Sequence, residues 1–376
     1  MIYFSQYEIV KWIGAIVVIV LLGRNWQQWQ LDQVKLAIYL KQLQLPEPIW
    51  SKLPTVSILV AAWNEEAHIG RFLQSFHTLN YPHKQLVLCA GGNDATLIIC
   101  QEASNEQIIV IEQQAGIGKQ RALHQAFPHT TGEIVYLTDA DCILCDDSFA
   151  RAIMPIANGE SLVTTGYSQP RTAQLDIPFV LWQSVTQLYG VIYAGKSADG
   201  LLGRNCAIQR DVLAKSRGLE TEAITGTDYV LAKKLLAQGA TIQRSTRSRI
   251  QTDYPTTIRA YMRQQSRWLR NVTLHGQRFG SWSEVRQSIQ TSLIGLVMIT
   301  LPFAGIFFPI FWAIWGLLFF QTLLARWRYW RVSCVLLNTQ PKLQHLIYLP
   351  FFSLVDFATW ASTLLNYPFE KWRTQW

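Results

Sequence analysis

Charge is scarce in this chain. Asp, Glu, Lys and Arg make up 15% of its 376 residues, against about a quarter in ordinary soluble proteins. Hydrophobic residues reach 49%, which excludes a disordered chain, an acidic solvating protein and a charge-laced coiled coil. Cysteine is also sparse: six residues, at 89, 100, 142, 145, 206 and 334. Cys142 and Cys145 form a lone C-x-x-C with no second pair, so reduced thiols in a cytosolic domain are expected rather than a metal framework. Internal repeats and low-complexity tracts are absent.

Aromatics and apolar runs are what the chain has instead. Fifteen Trp and seventeen Phe point to lipid contact, because amphipathic rings favour the headgroup level. Thirty-three Lys+Arg against twenty-five Asp+Glu leave +8. Beside apolar runs, that excess reads as basic flanks on an anionic membrane face, and no nucleic-acid partner is expected.

Ile9 to Gly23 is an apolar run of marginal spanning length. No small-residue cleavage site follows, and Arg24-Asn25-Trp26 reads as an interfacial anchor, so a retained membrane anchor is expected. Lys35 and Lys41 place the chain beyond it in the cytoplasm. Residues 24 to 50, rich in Trp, Gln and Leu and ending in Pro46-Glu47-Pro48, read as an interfacial helix lying on the bilayer. Thr291 to Ala325 carries no charge, and Pro302, Gly305 and Pro309 predict a hairpin there. Arg286 before it and Arg326, Arg328 and Arg331 after it put both ends in the cytoplasm. Leu346 to Leu365, interrupted by Pro350 and Asp356, fits a crossing or a re-entrant segment.

Between these segments strand and helix alternate. Thr55 to Ala61, Gln85 to Cys89, Ile108 to Ile111 and Glu133 to Thr138 read as buried strands, with helices from about Glu65 to Phe76 and from Lys119 to Ala126. Such alternation predicts βαβ units, a mostly parallel sheet covered on both faces, and a ligand at the strands' carboxyl ends. Trp63-Asn64-Glu65, Gly92-Asn93-Asp94 and Asp139-Ala140-Asp141 all fall there. A dinucleotide fingerprint fails, since the run from Gly116 to Arg121 lacks its third glycine. A P-loop fails too: Gln120 follows Gly118-Lys119, and Gln113 stands where the first glycine belongs. Asp139 and Asp141 stand one residue apart after a hydrophobic strand, so an extended chain would aim both to one side. Carboxylate oxygens completed by phosphate are what Mg²⁺ or Mn²⁺ takes.

Two further features lie downstream. Asp228 precedes a helical run to Leu236, where it could simply cap free amides. Arg259, Arg263, Arg267 and Arg270 recur every three or four residues, a basic stripe that suits headgroups or a diphosphate.

Taken in order, these pieces resemble the family 2 glycosyltransferases, in particular the membrane-bound branch with ceramide glucosyltransferases and the cellulose, chitin and hyaluronan synthases. Val60 to Glu66 resembles the family's N-E-E strand end, and Ala90 to Thr96 its nucleoside turn. Asp139-Ala140-Asp141 is similar to the D-x-D motif, and Thr227-Asp228 to the E-D pair carrying the base, with Thr in place of Glu. Gln264-Gln265-Ser266-Arg267-Trp268 resembles Q-x-x-R-W. Gly118-Lys119 and Gly203-Arg204-Asn205 match lesser blocks.

The resemblance implies an α/β, A-type nucleotide-binding fold with N- and C-terminal transmembrane helices. Four parts follow: a membrane anchor and interfacial segment (1–50), a cytosolic transferase domain (51–250), interfacial amphipathic helices (251–290) and a transmembrane region (291–376). It implies nucleotide-sugar contacts from Asn64, Glu66, Asp94, Lys119 and Asp139, and a Mg²⁺ or Mn²⁺ site at Asp141 and Asp139. Asp228 would be the base, supported by Arg267, Trp268 and Gln264. The expected activity is inverting transfer from a UDP-sugar to a membrane lipid hydroxyl, in a multi-pass protein of a bacterial inner membrane. A processive polysaccharide synthase is the alternative. A non-catalytic nucleotide-binding protein would be marked by loss of Asp141, Asp228 or Arg267, and all three are present.

Overall fold

The computed structural model describes residues 6–43, 53–220 and 225–370. The chain opens on one long helix, α1 (Gln6–Leu43). An alternating region follows: β1 (Val56–Trp63), α2 (Glu66–Thr78), β2 (Lys84–Gly91), α3 (Thr96–Glu102), β3 (Ile108–Glu112), α4 (Gly118–Ala126) and β4 (Ile134–Leu137). Next come β5 (Cys142–Ile143), α5 (Asp146–Ala157), β6 (Val163–Pro170), α6 (Pro178–Val191), β7 (Ser197–Ala198), β8 (Cys206–Gln209), α7 (Arg210–Ser216), α8 (Thr227–Ala237) and β9 (Ile242–Thr252). Four long helices complete it: α9 (Ile258–Arg278), α10 (Trp282–Phe307), α11 (Ile310–Leu336) and α12 (Leu343–Glu370).

The described strands form one mixed sheet in the order β3-β2-β1-β4-β8-β6-β9-β5, with β7 on β9. Its long ladders are parallel, as β1 against β2 over Val56–Trp63, while β8 enters antiparallel to β4. Successive residues of β1 serve opposite faces: Val56, Ile58 and Val60 join one core cluster, Leu59 the other. The order reverses between β1 and β4, which opens a crevice at their carboxyl ends.

Among the described residues, three helices are long and apolar enough to cross a membrane: Trp282–Phe307, Ile310–Leu336 and Leu343–Leu365. The expected hairpin is present, and it reverses at Phe308-Pro309, whereas Pro302 and Gly305 lie inside α10. Gly305 sits there because Trp312 leaves no room for a Cβ. The 346–365 stretch lies within one continuous helix.

Two expectations are corrected. Residues 24–43 are no separate interfacial helix but the second half of α1; Pro46-Glu47-Pro48 lies outside the described residues. No Gly or Pro interrupts the run after Gly23, and Asp32, Leu36 and Tyr39 are buried on one stripe. Leu36 and Tyr39 pack with Leu188, Val191 and Val332 of α6 and α11. Arg326 and Arg328 are not flanking cations awaiting headgroups. Both are buried, Arg326 on Asp356 of α12 and Arg328 on Asp32 of α1 at 2.8 Å. Asp32 also accepts from Tyr189 (2.7 Å) and Tyr193 of α6 and its loop.

Asp32→Ala should therefore leave Arg328 buried and uncompensated, at a cost of about 3–5 kcal/mol. Thermal unfolding in detergent checks this: a clearly lowered midpoint is expected, and an unchanged one contradicts the pairing.

Candidate active site

At the ends of β1 and β2 the side chains mainly bind each other. Asn64 adopts a left-handed backbone (φ 58°), and its Oδ1 accepts from the Asn93 N–H at 2.7 Å. Gly92 (φ 135°) is needed beside it, since a Cβ there would meet that oxygen. Asp94 accepts from the N–H groups of Glu66 (3.1 Å) and Thr96 (3.0 Å) and from the Thr96 hydroxyl (2.6 Å). Glu66 returns a bond by accepting from the Ala95 N–H at 3.2 Å. Desolvation pushes Asp94 up, but these donors together hold it below the ordinary carboxylate value. Burial raises the neighbouring Glu65 carboxyl to about 8, with the Asp141 and Asp139 charges adding.

Beyond β4 the chain turns rather than staying extended. The Cys142 N–H donates to the Asp139 carbonyl at 3.2 Å, because β5 must swing out to pair with β9. The Glu65 carboxyl and the Arg204 guanidinium each feel both Asp139 and Asp141, so the two carboxylates share one neighbourhood. Asp139 lines a cavity of about 450 Å³, and Asp141 does not. Lys119, in the first turn of α4, donates to Asp139, and Arg204 stands 3.7 Å from its other oxygen. Burial pushes the Asp139 carboxyl up, yet Lys119 and Arg204 carry it below the ordinary value.

The opposite wall is built from α8 and α9. Asp228 accepts from the N–H of Tyr229 at 2.9 Å and of Gly203 at 3.4 Å. Gly203 lies against it so closely that a Cβ would come within 2.9 Å of the Asp228 Cβ. The preceding turn is tied to α9: the Thr225 hydroxyl donates to Asn271 Oδ1 at 2.6 Å, and His275 Nε2 meets the Thr225 carbonyl at 2.7 Å. Tyr229 donates to Glu284 in the first turn of α10, which Lys233 also binds at 2.6 Å.

The cavity thus gathers Lys119, Asp139, Asp228, Arg267 and Trp268 from the sequence-predicted set. Asn64, Glu66 and Asp94 form their own cluster, and Gln264 and Asp141 do not line the cavity. The basic stripe runs from exposed Arg259 and Arg263 to half-buried Arg267 and Arg270. Burial lowers the Arg267 guanidinium, with Arg204 adding. Three contributors escaped the sequence reading: the grip of Arg204 on Asp139, and Asn271 and His275. A signal existed for the last two, which continue at intervals of four from Arg267 on one helix face.

Burial also holds His275 below its ordinary 6.5, opposed by the Thr225 carbonyl. A depressed histidine binds fewer protons folded than unfolded, so its contribution is present above 6.5 and is lost as pH falls below it. His275→Gln keeps a donor for Thr225 without titrating. The stability of the native protein relative to this variant should decline from pH 7.5 to 5.5, as read from denaturant midpoints. A constant difference would contradict the assignment.

The sequence model of the family described as "Glycosyltransferase like family 2" matches residues 54–271. A beta-monoglucosyldiacylglycerol synthase of Nostoc sp. is 26% identical over 250 residues, 61% of this chain and 52% of that protein. A hyaluronan synthase of Streptococcus pyogenes is 22% identical over 234 residues, 57% of this chain and 56% of that protein. The chain spans about half the length of these curated relatives. In fold it is similar to mannosyltransferase PcManGT from Pyrobaculum calidifontis, solved with GDP-Man and Mn²⁺. That likeness has a TM-score of 0.55 at 17% identity over 96% of this chain and 99% of that one. With the alternating sheet, the carboxylates at its switch point and a family match over more than half the residues, the chain belongs to the family 2 glycosyltransferases and carries their A-type fold.

Proposed function

We propose that this protein transfers one sugar from a UDP-sugar to a membrane lipid hydroxyl, inverting the anomeric carbon. The observation that carries the reading is the cavity where Asp228 faces Lys119, Asp139, Arg267 and Trp268. Each Asp228 oxygen takes a single backbone N–H, which leaves lone pairs for an acceptor proton. Asp228 removes that proton as the acceptor oxygen attacks and the bond to the diphosphate breaks. Arg267 and Lys119 face the departing diphosphate and stabilise its charge as it develops. Trp268, half exposed at the cavity, offers an apolar face for the acceptor. Asn64, Glu66 and Asp94 hold the nucleoside end, and Gln264 joins the catalytic set from α9, one turn before Trp268.

A divalent cation suits the donor set. Among the described residues no three His, Cys, Asp or Glu side chains converge on a metal-sized site. One or two carboxylates completed by phosphate oxygens is the pattern of Mg²⁺ or Mn²⁺. Asp141, which takes only a long thiol contact from Cys142 at 3.5 Å among its described hydrogen bonds, would hold it, with cation-paired Asp139 beside it. Bound there, the ion supplies neutralisation of the leaving diphosphate. PcManGT, solved with Mn²⁺, supports this reading.

The lipid acceptor is supported by the glucosyldiacylglycerol synthase relative and by the apolar helices, two of which pack on α9. A processive synthase is the second reading, favoured by the hyaluronan synthase relative. Threading a hydrated glycan needs an enclosed polar channel, and α10 and α11 have no charge from Thr291 to Ala325 to line one. The protein would be multi-pass, with its sheet in the cytoplasm.

Asp228→Asn should slow transfer about 10²–10⁴-fold while UDP binding survives; near-normal turnover would reduce Asp228 to a helix cap. Chelator should abolish activity, and Asp141→Asn should lose more than Asp139→Asn. Full activity in excess chelator would refute the metal.

A further inference from the structure

Helix α9 carries Arg267 and Trp268 into the cavity; it is tied to α12 through Ser266 and Thr363 at 3.1 Å, to α10 through Thr273 and Ser288 at 2.9 Å, and at both of its ends. Its C-terminal half is tied to the Asp228 turn through Asn271 and His275. Its N-terminal half is held by Tyr261, which is 4% exposed. That ring sits 5.5 Å from both Phe179 and Phe352, and its hydroxyl donates to Asp356 Oδ1. The other Asp356 oxygen accepts from Arg326 of α11, whose guanidinium lies over Phe352 at 5.4 Å. One buried carboxylate therefore joins α9, α11 and α12. Carboxylates within apolar helices are rare because stripping their water is costly, and their partners are correspondingly hard to give up.

Trp268 follows Tyr261 by seven residues. That is two turns, or about 10 Å, on nearly the same face. A shift of Tyr261 off Asp356 is passed along a continuous helix to Trp268 and Arg267. None of the residues around Asp139 or Asp94 takes part in this hold.

We propose that Asp356 is a positioning residue, which through Tyr261 sets the seat of Trp268 and Arg267 in the cavity for the acceptor step. The proposal rests on the transfer reading above. It differs from simple reinforcement of the helix bundle, because the position of the carboxylate matters and not merely its pairing. Replacing a buried ion pair with well-packed apolar residues commonly leaves stability intact. Arg326→Met with Asp356→Leu should therefore keep the bundle folded while leaving Tyr261 without its acceptor. Tyr261→Phe removes the hydroxyl alone and keeps the ring in its aromatic site.

Purified protein would be assayed with UDP-glucose and vesicles containing diacylglycerol, and UDP affinity measured in parallel. UDP affinity should fall less than transfer does, because Arg267 is one of three cations at the cavity while Trp268 faces the acceptor. Both variants should transfer about tenfold more slowly with a raised KM for the vesicle lipid, a loss of the size that small misplacements cause. Native transfer rates in either folded variant would overturn the proposal, as would an equal loss of UDP affinity. If the native protein transfers nothing from any UDP-sugar to membrane lipid, the transfer reading is what fails, and a measurement without turnover decides the positioning claim. Trp268→Cys, in a Cys145→Ser background, would be labelled with a water-soluble maleimide. The labelling rate should change at least about threefold when Tyr261→Phe is added, and an unchanged rate refutes the positioning role.

Discussion

A charge withdrawn from water has to be met by a partner, and this chain answers that demand with carboxylates that each bind more than one element. Asp139 takes Lys119 from α4 and faces Arg204 beside β8. Asp32 of α1 takes Arg328 of α11 together with Tyr189 of α6. Asp356 of α12 takes Arg326 of α11 and Tyr261 of α9. For Asp32 and Asp356, release of one element would strand a buried charge. The sheet, the cavity wall and the apolar helices are thereby held in one arrangement. Arg247 and Arg249 of β9 add to this by donating to the carbonyls of Leu43 and Leu336, at the ends of α1 and α11.

Much of this was legible where the controlling interactions are local. The four parallel strands were readable from β-branched runs, and the crevice from the residues that end them. The motifs around Asp228 and Arg267 were readable from their order. What stayed hidden depends on partners far along the chain. Continuity of α1 through Arg24 is secured by contacts to residues near 190 and 330. The turn that follows Asp139 exists because β5 pairs with Thr252. Charge pattern gave no sign that Arg326 and Arg328 face inward, since an arginine beside an apolar run looks the same whether it meets a headgroup or an aspartate.

The Gly203-Arg204-Asn205 run shows how one short block serves three purposes. Gly203 allows Asp228 to approach, Arg204 faces Asp139, and Asn205 donates to the Tyr167 carbonyl and accepts from Tyr136 in the buried sheet. Around the cavity Lys119, Arg204 and Arg267 outnumber Asp139 and Asp228. On the proposed reading that surplus positive charge is where the donor diphosphate comes to rest.

The nature of the product tests the account most directly. Membranes containing the protein would be incubated with a panel of radiolabelled UDP-sugars, and the product separated by solvent extraction and chromatography. A solvent-extractable lipid bearing one sugar is the result this account predicts. A long polymer that stays in water or precipitates would contradict it.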